Sequence, residues 1–107
     1  MKKSLFKIYS DSITFEQGRT KHTEEELHKI ILYGPEDKKE AARNELVIQN
    51  LSYVISAAVK IAGPYSDLNV IQAGNEGLIE AAKRFEPERG FKFITYATWW
   101  IRQFIIQ

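Results

Sequence analysis

The sequence predicts an all-α fold, a small bundle of about four helices with no sheet. Apolar residues recur at helical spacing along most of the chain, Gly-Pro pairs interrupt it at 34–35 and 63–64, and no segment alternates as a strand does. Hydrophobic residues form 44% and charged residues 27% of the 107 positions, a globular balance that suits one domain. Residues 1–22 have no clear period, so we expect an irregular N-terminal arm before a helical domain spanning 23–107.

The first predicted helix begins after Thr23, because Thr23-Glu-Glu-Glu26 is a capping box. Gly34-Pro35 ends it. A second helix is expected to run unbroken from Glu36 to Ala62, as a rod roughly 40 Å long.

A third helix is expected to be capped by Ser66 or Asp67 and to end near Phe85. Gly74 and Gly77 lie inside it, where each glycine costs about 1 kcal/mol relative to alanine. Close packing of another helix is the favoured explanation for both.

The last predicted helix begins near Thr95 and includes Gln107, with no Gly or Pro to stop it. We therefore expect either part of a longer chain or a naturally short relative. A helical projection separates an aliphatic core face from an aromatic and polar face that packing does not require. The core face consists of Ala97, Ile101, Phe104 and Ile105, and the other face of Tyr96, Trp99, Trp100 and Gln103.

Charge is nearly balanced over the whole chain, with 15 Lys and Arg against 14 Asp and Glu. Any nucleic-acid surface must therefore be local. Between Lys83 and Gln103, five cations against two anions give +3. Cations interleaved with free aromatic rings suit single-stranded nucleic acid, while a protein-binding surface and a Trp-rich core remain the alternatives.

Several classes of chemistry are excluded by composition. The chain has no Cys, and His22 and His28 cannot form a metal site alone, so we expect no metal and no cofactor. Polar residues interrupt each apolar run well before the roughly 20 residues of a membrane span. Lys7 and Asp11 break the apolar stretch that a signal peptide needs, so we expect a soluble, cytoplasmic protein with no membrane partner.

The run from Arg89 to Gln103, RGFKFITYATWWIRQ, resembles the signature of bacterial sigma factors of the sigma-70 family, primary type. NVIQAGNEGL at 69–78 resembles the polymerase-binding helix before it, and ELVIQNL at 45–51 the opening of the same domain. The capping-box helix resembles the short preceding region, so the resemblance covers about 23–107. It implies a region 2 domain that binds core RNA polymerase, recognises the minus-ten promoter element and captures its non-template strand. Such a protein initiates transcription and is not an enzyme.

Tyr96 corresponds to the ring that takes the stacking place of a flipped adenine, and Trp99 and Trp100 to a wedge at the upstream fork. Lys92 and Arg102 would hold phosphates. The DNA-binding positions that the resemblance implies are Asn50, Phe85, Arg89, Phe91, Lys92, Phe93, Thr95, Tyr96, Trp99, Trp100, Arg102 and Gln103.

The resemblance implies base recognition at two further positions. Gln103 corresponds to a contact with a base on the paired upstream edge, where an amide can pair with adenine. Asn50 corresponds to part of a second flipped-base pocket, whose usual leucine is Tyr53 here.

The polymerase-binding positions that the resemblance implies are Asn69, Gln72, Ala73, Asn75 and Ile79. Asn69 and Ala73 replace acidic residues that usually pair with arginines on the clamp helices of the largest polymerase subunit, and Glu76 replaces an aliphatic residue. An anti-sigma factor is a further candidate partner.

Two other functions compete with promoter recognition. A polymerase-binding regulator or decoy would occupy the sigma docking site without initiating, and would need only the third helix. A free single-strand binder would need only the aromatic face. Intact aromatic residues argue against a pure decoy, because docking alone does not require them.

Overall fold

The computed structural model describes residues 9, 11–13, 17–18 and 20–107. These residues contain no strand, and within 20–107 they form five α-helices and two short 3₁₀ turns. The predicted all-α class is confirmed. Tyr9, residues 11–13 and Gln17 are helical, so the expected irregular arm is not irregular at those positions. Gly18 forms a turn, and the rest of 1–19 lies outside the described residues.

Helix α1 (Glu24–Tyr33) begins as the capping box predicts. The Glu26 amide donates to the Thr23 hydroxyl over 3.2 Å, and the Thr23 amide donates to the Glu26 carboxylate over 2.8 Å. These bonds from the Thr23 backbone and side chain lower the pKa of Glu26. The helix ends at Gly34, before Pro35.

The expectation of one helix from Glu36 to Ala62 is wrong. The chain forms α2 (Glu36–Gln49) and α3 (Leu51–Ala62), with a bend of 49° between them. Asn50 stands at the break with φ −113° and ψ 10°, and its side-chain amide donates to the Leu46 carbonyl over 2.8 Å. A short polar side chain that bonds the preceding turn competes with the helical ladder and bends the helix.

Helix α4 (Leu68–Arg84) is capped by Asp67, whose carboxylate accepts from the Val70 amide over 3.0 Å. Of the two expected caps, Ser66 instead donates to carbonyls at the end of α3. Gly63 closes α3 with a φ of 57°, a left-handed conformation that favours glycine.

Helix α5 (Phe93–Ile106) begins two residues before the expected Thr95 and packs along α4. At Gly77 the two helices meet at backbone distance, because a Cβ added there would lie 2.5 Å from the Trp100 carbonyl oxygen. The predicted close packing is confirmed at both glycines of α4. The largest fully buried side chains come from all five helices and are Leu27, Leu46, Val54, Ile71, Leu78, Phe93 and Ile101.

Candidate nucleic-acid interface

A tight turn presents the first residues of the candidate interface. The chain leaves α4 through a 3₁₀ turn (Pro87–Arg89) and reverses at Gly90, whose φ of 85° favours glycine. Arg89 pairs with Glu86 over 3.2 Å on the exposed side of this turn. Phe91 is 57% exposed and Lys92 is exposed beside it, so a ring and a cation stand free at the start of α5.

The N-terminus of α5 is capped by a residue from another helix. Lys92 offers no side-chain cap, and the Phe93 amide instead donates to the Glu24 carboxylate of α1 over 2.7 Å. His28 Nε2 lies 3.0 Å from the same carboxylate, one turn along α1. This link holds the start of α5 against α1. Sequence reasoning missed Glu24 and His28 as part of the site, because the capping pair is separated by 69 positions.

Two of the twelve predicted DNA-binding residues lie in the core. Phe85 is 2% exposed and Phe93 fully buried, which leaves neither ring free to stack on a base in this structure. Phe85 contacts the Phe93 ring at 5.2 Å between centroids and the Tyr96 ring at 5.8 Å. Phe85 therefore supports the Tyr96 ring directly, and Phe93 packs against Phe85.

The expected free face of α5 is only partly free. Trp99 is 57% exposed, whereas Tyr96, Trp100 and Gln103 are half-buried, and Tyr96 and Trp100 pack against the core. The core stripe is confirmed at Ala97 and Ile101, which are fully buried; Phe104 and Ile105 are half-buried. The close approach of α5 to α4 explains why this face is only partly exposed, since it brings the backbone of Trp100 against α4.

The two tryptophans form an edge-to-face pair with centroids 5.1 Å apart and planes at 90°. The Arg84 guanidinium lies over the Trp100 ring, 5.1 Å from its centroid. Arg84 also donates to Glu80 over 2.6 Å, and this bond raises the pKa of Arg84 and lowers that of Glu80. A cation is thus held against one ring of the pair while the other ring faces solvent.

The predicted second base pocket lies where α3 meets α5. Asn50 is half-buried, and its amide nitrogen donates one hydrogen bond to the Leu46 carbonyl, which leaves its second N–H and its oxygen for other partners. Tyr53 is 38% exposed, and its hydroxyl lies 3.3 Å from that of Thr98 on α5.

The remaining predicted DNA-binding residues are on the surface. The exposed members of the set are Arg89, Phe91, Lys92, Thr95, Trp99 and Arg102. A cavity of about 550 Å³ opens beside Phe91 and Lys92, with Thr23, Glu25 and His28 of the α1 region on its other wall. We call Phe91, Tyr96, Trp99 and Trp100 the aromatic surface.

The second predicted surface runs along α4. Leu68, Gln72, Asn75 and Ile79 follow one another at spacings of four, three and four, and we call them the outer stripe. Leu68 and Ile79 are 42% and 44% exposed, Gln72 is exposed and Asn75 is half-buried. Such spacing places side chains along one line of a helix.

The other residues predicted to bind polymerase flank this stripe. Asn69 is exposed and Ala73 is half-buried. Gly74 lies on the buried side of α4 and is not available to a polymerase helix, because a Cβ there would lie 2.6 Å from Val54 Cγ1 of α3. Gly74 serves packing within the domain.

Within the described residues, no three His, Cys, Asp or Glu side chains are grouped so that they could hold a metal ion. Over the same residues, no single helix is long and apolar enough to cross a membrane. The α2–α3 pair reaches that length and apolarity only when both helices are taken together across their bend.

Comparison with known proteins finds a family match over the segment that carries both surfaces. The family described as Sigma-70 region 2 matches residues 46–107, more than half of the chain. The chain is 42% identical over 93 residues to RNA polymerase principal sigma factor HrdD of Streptomyces viridifaciens, an alignment that covers 84% of this chain and 26% of that protein. It is 47% identical over 83 residues to RNA polymerase sigma factor SigA of a Bacillus species, covering 77% and 21%.

The family match covers α3, α4 and α5 of this all-α domain, and it identifies the domain as one of a sigma factor. The chain belongs to the sigma-70 family, and residues 46–107 correspond to region 2. It spans about a quarter or less of the length of the curated relatives it matches.

Proposed function

We propose that this domain recognises the minus-ten promoter element and captures its non-template strand on the aromatic surface, while α4 binds core RNA polymerase. The observation that carries the proposal is the family match at 46–107, which includes the exposed Phe91, Lys92 and Trp99. The relatives' names describe RNA polymerase sigma factors, which supports polymerase and promoter DNA as partners. The protein would bind and hold DNA without making or breaking a covalent bond.

The order of groups along the surface suits a single strand. Lys92 and Arg102 are exposed cations at either end of the first three turns of α5, and Trp99 stands exposed between them. Cations would follow phosphates while rings stack on bases, at about 1–3 kcal/mol per stacked base. Tyr96 would take the flipped adenine at the rim of the surface, held by Phe85 behind it.

Unstacking and unpairing a base from duplex DNA costs a few kcal/mol. Stacking on a ring that the protein already holds in place offsets part of this cost. The cap from Glu24 and the contact with Phe85 both restrict the start of α5, which favours capture by a preformed surface.

The test of strand capture compares Tyr96→Ala with Lys92→Ala on single-stranded minus-ten oligonucleotides, using the 107-residue chain and fluorescence anisotropy. Tyr96→Ala is expected to lower affinity by about ten- to a hundredfold, since one stacking contact is lost. The loss should be largest with adenine at the flipped position and should shrink when that base is absent. Lys92→Ala should weaken all sequences alike and reduce the salt slope by about one counterion.

Thermal unfolding provides the control. Ile101→Ala removes a fully buried side chain and is expected to cost about 2–5 kcal/mol of unfolding free energy. Tyr96→Ala should cost clearly less, since its ring is only half-buried. If Tyr96→Ala unfolds the domain while adenine discrimination survives in the folded fraction, Tyr96 is a core ring and base capture is wrong.

Polymerase binding is tested by Gln72→Lys. Gln72 is exposed at the centre of the outer stripe, and a cation there would repel an arginine-bearing partner helix. Affinity for core polymerase should fall while binding to the oligonucleotide stays unchanged. If the affinity for core RNA polymerase is unaltered, the docking surface does not lie on α4.

A further inference from the structure

Tyr9 of the N-terminal arm lies against the helix that we propose as the polymerase dock. The Asn75 amide nitrogen donates to the Tyr9 hydroxyl over 2.6 Å, a contact that joins residues 66 positions apart. Tyr9 is half-buried there. No pattern in the sequence of residues 1–22 indicates this contact.

Two other described residues of the arm are buried or bonded to the domain. Ile13 is 4% exposed. Gln17 donates to the Gln49 carbonyl over 2.8 Å and accepts from the Ser52 hydroxyl over 2.6 Å, which links the arm to both sides of the bend at Asn50. Tyr9 therefore belongs to an arm that contacts α2, α3 and α4.

The contact with Tyr9 uses only one half of the Asn75 amide. Its oxygen, Oδ1, is buried and has no hydrogen-bond partner among the described residues. A cavity of about 290 Å³ lies at this point, lined by Tyr9, Leu68, Ile71, Gln72 and Asn75. A buried acceptor without a donor is unfavourable, so a partner group that enters the cavity and uncovers Oδ1 would gain a hydrogen bond there.

Charge indicates which donor fits. Gln72 offers a second amide oxygen on the cavity wall, and Glu76 places an exposed carboxylate one turn further along α4. A guanidinium or ammonium group carries only donors and is attracted by the carboxylate. The cavity far exceeds the roughly 30 Å³ of one water molecule, and an arginine or lysine head group can enter it.

We infer that Tyr9 is a positioning residue of the polymerase dock, because its hydroxyl holds the Asn75 amide nitrogen and leaves Oδ1 as the acceptor for an arginine or lysine of the bound polymerase helix. This inference rests on the proposed docking of α4. Asn69, Gln72 and Ile79 are exposed with Tyr9 in place, which favours an arm that completes the dock over one that covers it.

The test is a double-mutant cycle on the full 107-residue chain, measured as the equilibrium affinity for a bacterial core RNA polymerase that binds the wild type. Tyr9→Phe keeps the ring and removes the hydroxyl, and it should weaken binding about three- to tenfold, the range of a single hydrogen bond. Tyr33→Phe is the matched control, because Tyr33 is 83% exposed, and it should change nothing.

The cycle separates positioning from general stability. In the Asn75→Ala background, Tyr9→Phe should cause little further loss, since the amide it orients is gone. Minus-ten oligonucleotide binding should be unchanged by Tyr9→Phe, which verifies that the domain is intact. Unchanged or tighter polymerase binding by Tyr9→Phe, or fully additive losses, would overturn the inference.

The two proposals fail differently. If Gln72→Lys and Asn75→Ala weaken polymerase binding while Tyr9→Phe does not, α4 is the dock and the role of Tyr9 is wrong. If neither Gln72→Lys nor Asn75→Ala changes polymerase binding, the proposal that α4 binds polymerase is wrong.

Discussion

Helix α4 has two faces that differ in how completely the domain covers them. The inner face meets α3 and α5 so closely that Gly74 and Gly77 have no room for a methyl group. Among the described residues, Tyr9 contacts the outer stripe at Asn75, while Gln72 and Ile79 are exposed. The glycines therefore serve the fold, and the polar and aliphatic residues opposite them are the ones available to a partner.

This difference has a consequence for mutational tests. We expect a change on the inner face to alter the distance between α4 and α5, and so to disturb the aromatic surface together with the proposed dock. A change on the outer stripe should affect the proposed docking alone. Substitutions on the two faces should thus separate stability from binding.

The largest effect is expected for Gly77→Ala. The new Cβ would lie 2.5 Å from the Trp100 carbonyl oxygen and 2.9 Å from Ile101 Cα, which are backbone atoms that no rotamer change can move. Overpacking of this kind should lower the free energy of unfolding by about 2–3 kcal/mol or more, beyond any gain in helix propensity. Urea unfolding measures the loss.

Gly74→Ala is the comparison for Gly77→Ala. Its nearest atoms are the Val54 Cγ1, at 2.6 Å, and the Ile105 Cδ1, at 3.2 Å, and both belong to side chains that can shift. We expect a smaller loss than at Gly77. Equal losses at both glycines would contradict the view that α4 and α5 meet at the backbone only near Gly77.

A smaller effect is expected for Glu24→Ala, which removes the cap that α1 provides to α5. The Phe93 amide would lose its acceptor, at a cost near that of a lost N-cap, about 1 kcal/mol. Glu25→Ala is the matched control, since it removes the same first-turn charge from α1 without touching Phe93. Thermal unfolding should separate the two variants, and equal melting temperatures would show that the cap from α1 contributes nothing.

The smallest effect concerns the contact between Glu45 on α2 and the segment leading into α1. Burial acts to raise the pKa of Glu45, but hydrogen bonds from His22 and the Lys21 amide outweigh it and the pKa is lowered. The contact stabilises the fold fully above the unfolded-state pKa of about 4.3, and this stabilisation is lost as pH falls through the lowered folded-state value.

Glu45→Gln should therefore reduce stability near neutral pH, by about 1 kcal/mol or less because His22 is 42% exposed, and should have little effect at pH 3. Unfolding free energies measured between pH 7 and pH 3 would display a shallower slope than the wild type. Glu40→Gln, an exposed change on the same helix, should leave the slope as it is. If the unfolding free energy of Glu45→Gln depends on pH as steeply as that of the wild type, Glu45 does not contribute to the loss of stability in acid.

Helix ends were predictable from sequence because the interactions that set them are local. The capping box at Thr23 and the Asp67 cap each join residues three positions apart, and Gly34-Pro35 stops α1 whatever surrounds it. Ala97 and Ile101 were likewise placed in the core by spacing alone, since an amphipathic helix buries its apolar stripe. The family resemblance depended on an uninterrupted run of residues and needed no coordinates.

The tertiary structure decided everything that joins distant positions. Glu24 caps Phe93, and Tyr9 meets Asn75, across 69 and 66 residues, and no periodicity reports such contacts. The same holds for the burial of Phe85, a ring whose aromatic character suits a core and a base-stacking surface equally well. Spacing tells which side chains share a helix face, but only the approach of neighbouring helices determines which face is closed and which is left to a partner.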